Sequence, residues 1–323
     1  MKIKRVLVTG GLGLIGSHLV ERLLDGGTQV TVIDNNFTGN VSNLGSQGNH
    51  KLLKVVSGDV VDSALTNKEM KETDFCFHLA ASLGVKRILE APITSYKTNV
   101  HGSENVFAAA SEYKVPVFLA STSEIYGKNP QQPLTEDSDR VLGSPLNIRW
   151  SYSEAKALDE SLAQMYSQDQ GLKFIIGRFF NTVGPRQTGE YGMVLPRFVS
   201  SALKNQDLEV YGDGTQTRVF CHVQDAVEAI LRLVENDSAF GDVFNIGGVG
   251  EVSINHLAAK VIEVTGSQSK VRHVPYAQAY TKGFEETFRR VPDTTKIQNF
   301  TGWKVERTLE DIILDVMSYM KSH

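Results

Sequence analysis

Cysteine is scarce in this chain. Only Cys76 and Cys221 occur in 323 residues, too few for a disulfide framework and in keeping with a reducing compartment. Cys76 lies in an apolar run, Phe75-Cys76-Phe77, and is expected in the core. Cys221 precedes His222, but neighbours on a strand point to opposite faces, so no thiolate nucleophile is expected there. Basic runs are missing beyond Lys2, Lys4 and Arg5, and the net charge is −4, which argues against a nucleic-acid partner. No apolar stretch approaches membrane-spanning length and no apolar leader precedes the first strand. A cytoplasmic location without membrane association is therefore expected. The eight histidines show no metal-ligand spacing, and no metal is expected. Internal repeats and low-complexity segments are also lacking. What remains is an ordinary globular composition, long enough to bury a large core.

The N-terminus carries the first positive signal. Residues 6–8, Val-Leu-Val, read as a short buried strand, and Thr9-Gly10-Gly11-Leu12-Gly13-Leu14-Ile15-Gly16 follows at once. Ile15, Leu19, Val20, Leu23 and Leu24 then recur at helical spacing. Strand, glycine turn and helix form the context of a dinucleotide site. Gly10, Gly13 and Gly16 let backbone approach a pyrophosphate, which the N–H groups at a helix start attract. Leu14 and Ile15 open that helix and are expected against the cofactor. A second strand, residues 29–33, ends at Asp34, placed to accept from the adenosine ribose hydroxyls. Asn35 and Asn36 follow, with no arginine to neutralise a 2′-phosphate, so NAD is expected over NADP.

A second signal lies mid-chain, in Tyr152-Ser153-Glu154-Ala155-Lys156. Four-residue spacing puts Tyr152 and Lys156 on one helix face. The ammonium of Lys156 is expected to favour the phenolate of Tyr152, making it a base for a sugar hydroxyl. Thr122 follows the apolar run 117–119 and is expected at a strand tip, bonded to the same hydroxyl. Further strand-like runs at 52–56, 75–79, 117–119 and 174–176 alternate with helical ones. Such alternation predicts an α/β fold, a Rossmann-type doubly wound parallel sheet. Past residue 180 glycine clusters break the pattern, and 243–246 reads as a strand returning to the sheet. The expected organisation is an NAD-binding domain over 1–180, with a returning segment near 226–250, and a smaller substrate-binding domain built mainly from 181–323.

Together these motifs resemble the extended short-chain dehydrogenases/reductases that epimerise, dehydrate or decarboxylate nucleotide sugars. The resemblance covers nearly the whole chain, through Arg290-Val291-Pro292-Asp293 and Gly302-Trp303. It implies catalytic roles for Thr122, Tyr152 and Lys156. It also implies an adenine contact at Asp59 and Val60, a strand end over the cofactor at Leu79, Ala80 and Ala81, and a structural asparagine at Asn99. Asn181 and Arg218 resemble the family's contacts to the substrate diphosphate, and an arginine fork suits phosphate oxygens. Arg197 falls in a segment expected to line the nucleotide pocket. Two helical stretches, 93–113 and 153–168, resemble those that form the family's dimer, with Ala108-Ala109-Ala110 small enough for close packing.

The reaction after C4 oxidation is less determined. Thr122-Ser123-Glu124 is similar to the pattern of UDP-glucuronate decarboxylases, which GDP-mannose dehydratases share, whereas the dTDP-glucose dehydratases carry a second acid here. Arg290 stands where decarboxylases resemble this chain, and a C6 carboxylate is an evident partner for it. The segments Gly184-Pro185-Arg186-Gln187-Thr188-Gly189 and Gly192-Met193-Val194-Leu195-Pro196-Arg197 read more like epimerases. The favoured reading is a UDP-glucuronate decarboxylase, with Ser123, Glu124 and Arg290 at the sugar. A UDP-hexose 4-epimerase is the alternative, a 4,6-dehydratase ranks lower, and retention of Tyr152 and Lys156 argues against a non-catalytic protein.

Overall fold

The computed structural model describes residues 3–187, 189, 193–279 and 285–323. Seven parallel strands form the central sheet: β1 (Arg5–Thr9), β2 (Gln29–Asp34), β3 (Leu53–Ser57), β4 (Phe75–His78), β5 (Val117–Thr122), β6 (Phe174–Phe179) and β7 (Asp242–Ile246). Their spatial order is β7-β6-β5-β4-β1-β2-β3. The strands are apolar on both faces because helices cover both. Val6 and Val8 of β1 pack in one core with Leu19, Leu23 and Ile230, while Leu7 points into the other with Val106 and Phe107. Helices Leu14–Asp25 and Val223–Glu235 supply the first layer, and Gly102–Tyr113 and Ser151–Gln170 the second. The predicted doubly wound sheet, with residues 243–246 returning to it, is what the chain forms.

Two strands run further than the apolar pattern predicts. β5 continues through Ala120, Ser121 and Thr122, and β6 through Gly177, Arg178 and Phe179, each set paired with the other in register. Small and polar residues hide this extension from a hydrophobicity reading, although backbone pairing does not depend on them. The added residues carry Thr122 to the strand tip.

A third core belongs to the later segments. Leu195, Phe198 and Val199 pack with Leu208, Val210, Leu257, Val261, Ile312 and Ile313. Short strand pairs, Leu208–Tyr211 with Val271–Val274 and Thr217–Arg218 with Val252–Ser253, border it. Cys76 and Cys221 are both buried, and burial pushes both thiols up. Among the described residues, no helix is long and apolar enough to cross a membrane.

Strand order reverses between β1 and β4, because the chain builds outward to β3 before returning. Such a reversal leaves a crevice at the carboxyl ends of the strands. The residues singled out from the sequence converge there.

Candidate active site

At the crevice, the turn after β1 and the backbone after β4 touch. A Cβ added to Gly10 would lie 2.7 Å from Ala80 N, and Gly10 has φ +71°, so only glycine fits without strain. A Cβ on Gly16 would come within 2.1 Å of the Gly10 carbonyl oxygen, whereas Gly13 is open apart from one 3.4 Å approach. Gly13 caps the helix Leu14–Asp25 and has no side chain to bond that helix start. The N–H groups of its first turn, Leu14, Ile15 and Gly16, lack intrahelical acceptors by construction. The result is an anion cradle, and a pyrophosphate fits it.

Asp34, at the tip of β2, accepts from Leu12 N at 3.0 Å and from Asn36 N at 2.9 Å. Burial pushes its carboxyl up, while those two donors oppose the rise. Asn35 donates to Asp59 at 2.9 Å, so the tips of β2 and β3 are tied side by side. Val60 is buried against Gly102. Asn99 spends its amide on the loop beyond Ala80 and Ala81: Oδ1 accepts from Ser82 N at 2.7 Å, and Nδ2 donates to Ser82 O at 3.1 Å. It shapes the loop after Leu79, as a structural asparagine would. These groups fit a dinucleotide whose ribose meets Asp34.

The reactive end lies across β5. Thr122 is its last residue and accepts from Glu124 N at 3.2 Å, and its hydroxyl lies beside the phenol of Tyr152. Tyr152 sits in the first turn of the helix Ser151–Gln170. Burial pushes this phenol up, and the charge of Glu124 adds to the rise. Its expected activation by Lys156 meets a competitor for that ammonium. The Lys156 ammonium donates to Asp159 Oδ2 at 2.7 Å, with both side chains buried. A carboxylate three residues on thus offsets part of the positive charge that the Tyr-x-x-x-Lys spacing promises.

Glu124 is the centre of a charge cluster. Its Oε2 accepts from Arg149 Nη2 at 2.7 Å, and its Oε1 from Arg290 Nη1. Burial alone would raise this carboxyl, but Arg290 and then Arg149 outweigh it and hold the group well below the usual carboxylate range. Arg290 also donates from Nη2 to Asn181 Oδ1 at 3.0 Å, and Asn181, with φ +35°, donates to Val219 O at 2.8 Å. Ser123 is buried at the same turn. Arg149 is the residue sequence reasoning missed here. Nothing local in the sequence marks it as a partner of Glu124.

Two other arginines make no hydrogen bond to Glu124 among the described residues. Arg218 donates to Glu286 at 2.7 Å, and both side chains are largely buried. Burial lowers the Arg218 guanidinium from its ordinary value, and the charge of Arg290 lowers it further. Arg197 stacks on Tyr211 at 4.1 Å and donates to Glu209 O at 2.9 Å. Of the segments around it, Thr188 and Gly192 lie outside the described residues.

Residues 7–316 match a family described as GDP-mannose 4,6-dehydratase. A UDP-N-acetyl-alpha-D-glucosaminuronate decarboxylase of Bacillus cytotoxicus is 42% identical over 299 residues, covering 91% of each chain. UDP-glucuronic acid decarboxylase 4 of Arabidopsis thaliana is 36% identical, over 94% of this chain and 65% of that one. Among solved structures, a dTDP-glucose 4,6-dehydratase from Streptomyces venezuelae, with NAD bound, superimposes with a TM-score of 0.88 at 30% identity. That match covers 98% of this chain and 97% of the other.

Proposed function

Because the chain belongs to the nucleotide-sugar epimerase, dehydratase and decarboxylase family of extended short-chain dehydrogenases/reductases, we propose that it is an NAD-dependent decarboxylase of a UDP-linked hexuronate. The observation that carries this reading is the pairing of two buried arginines, Arg149 and Arg290, with the single carboxylate of Glu124. The trio keeps one positive charge, and the C6 carboxylate of a uronate balances it. Arg290 Nε, moreover, has no hydrogen-bond partner among the described residues. The names of the relatives support the same class. UDP-N-acetylglucosaminuronate is the first substrate to try, and UDP-glucuronate the second.

In this reading Gly10, Gly13, Leu14, Ile15 and Gly16 hold the pyrophosphate of NAD, and Asp34 its ribose. Asn35, Asp59 and Val60 border the adenine, and Leu79, Ala80 and Ala81 lie along the cofactor. NAD held there would supply the acceptor for the C4 hydride and, later, its donor. Thr122 orients the 4-hydroxyl, and Tyr152 removes its proton with Lys156 held behind. The resulting ketone is β to the C6 carboxylate, so the electrons of the breaking C5–C6 bond flow towards the ketone as carbon dioxide leaves. C5 then gains a proton, and Tyr152 returns its own when the ketone is reduced. Arg290 and Glu124 hold the sugar. Asn181, Arg197 and Arg218 serve the nucleotide and diphosphate, which compete with Glu286 for the Arg218 fork. Residues 181–323 form most of this substrate lobe.

A cytoplasmic homodimer completes the proposal. Ile93 and Tyr96 on one helical stretch, and Leu158 and Met165 on the helix Ser151–Gln170, are exposed apolar side chains. Ala109 and Ala110, small enough to pack either between subunits or inside the chain, are buried in the chain's own core. The deciding experiment supplies each UDP-uronate labelled at C6 and traps the released carbon dioxide. Label in the gas supports decarboxylation. A UDP-sugar with inverted C4 and no labelled gas overturns it in favour of the epimerase.

A further inference from the structure

Asp159 is fully buried, as is Lys156 beside it. Oδ2 takes the ammonium, while Oδ1 accepts no hydrogen bond among the described residues. As a stabilising device this is poor. Two charges removed from water gain little net over an apolar pair, and an oxygen left without a donor makes the balance worse. Its location is better explained by the chemistry two helical turns away, at Tyr152. We propose that Asp159 is a positioning residue for the proton transfer: it anchors Lys156 and, by cancelling part of that ammonium's field, sets the pH at which Tyr152 becomes a base. The inference rests on Tyr152 taking the C4 proton and is indifferent to what the ketone does next.

Among the described residues, the surroundings give the pair no other counter-charge. The helix Gly102–Tyr113 contributes Ser103, whose hydroxyl lies near Asp159, donates to Asn99 O at 2.6 Å and meets His78 Nε2 at 3.0 Å. The His78 ring, from β4, also bonds Thr9 at 2.7 Å. Burial, and then the charge of Lys156, lower it to about 3, so it stays neutral at working pH. Glu160, next on the same helix, is committed to Arg178 at 2.7 Å. Across the cleft, Glu124 and Arg290 face Tyr152 with opposite signs, and the Thr122 hydroxyl lies beside it. Asp159 is therefore the carboxylate that balances Lys156.

The sign of the effect follows. A negative charge near a phenol disfavours the phenolate. Asp159→Asn keeps the shape and an acceptor for Lys156 but removes that charge. Tyr152 should then ionise at lower pH, by roughly one unit. The direct test follows near-ultraviolet phenolate absorbance of the NAD-bound protein against pH, as the difference between each protein and its own Tyr152→Phe version. The expected result is a downward shift of the Tyr152 midpoint in Asp159→Asn, and of the acid limb of kcat/KM by the same amount. A midpoint that stays put or rises overturns the proposal, whatever product the enzyme makes. Absence of labelled carbon dioxide would overturn only the decarboxylase reading. Asp159→Ser provides a second charge-free variant. Loss of folding in both would make the pair purely structural and overturn the proposal equally.

Discussion

Replacing Glu124 by glutamine keeps the shape of the side chain and removes its charge, so the guanidinia of Arg149 and Arg290 are left facing one another. The two arginines are only 4% and 8% exposed, so water screens them weakly. Removing one partner from such a buried cluster costs about 3–5 kcal/mol. In a chain of this length each kcal/mol lowers the melting midpoint by about 2 °C, so Glu124→Gln should melt about 6–10 °C below the wild type at neutral pH. The pH dependence carries a sign. Arg290 and Arg149 depress the Glu124 carboxyl in the folded state. Its contribution is therefore complete above the unfolded value of ~4.3 and is lost as pH falls towards the folded one. The gap between the two proteins should be constant from about pH 8 to about pH 5 and narrow below ~4.3. Calorimetry across that range checks it. A gap below about 2 °C, or one that narrows on the alkaline side, would refute the view of Glu124 as the keystone of a buried trio. Rapid mixing with substrate adds a catalytic readout: bound NADH should still form, while release of carbon dioxide slows.

Three further outcomes are expected. Tyr152→Phe should fold and bind NAD yet lose at least about 10²-fold in turnover, the contribution of a positioned base; steady-state assays within tenfold of wild type would point to another base. Asp34→Arg should weaken NAD and admit NADP in fluorescence titrations, and equal wild-type affinity for both would contradict the role of Asp34. Met165→Glu places a charge on the exposed apolar stripe of its helix and should shift a dimer to monomer by light scattering, and a monomeric wild type would remove the interface.

Legibility followed locality. The glycine turn, the acid at the end of β2 and the Tyr152–Lys156 spacing are written within short stretches, and each falls where a strand or helix period puts it. The sheet was legible because buried parallel strands are apolar on both faces. Thr122 was placed correctly although β5 was read three residues short. The Glu124 trio is different in kind. Its partners lie 25 and 166 residues away in sequence, and no periodicity links them. Asp159 could have been found, since an acid three residues after a lysine on one helix is a local pattern. The ion pair between them ties Lys156 to a buried carboxylate.

The position of β7 has a consequence for how the chain is made. β6 ends at Phe179, and its outer neighbour begins at Asp242. While a ribosome delivers residues 180–241, β6 is a bare strand edge with unpaired backbone groups, which invites association with other chains. That interval includes the helix Val223–Glu235, whose Ile230 and Leu233 complete the core against Leu19 and Leu23. Nascent chains stalled in this window should therefore be the ones chaperones capture.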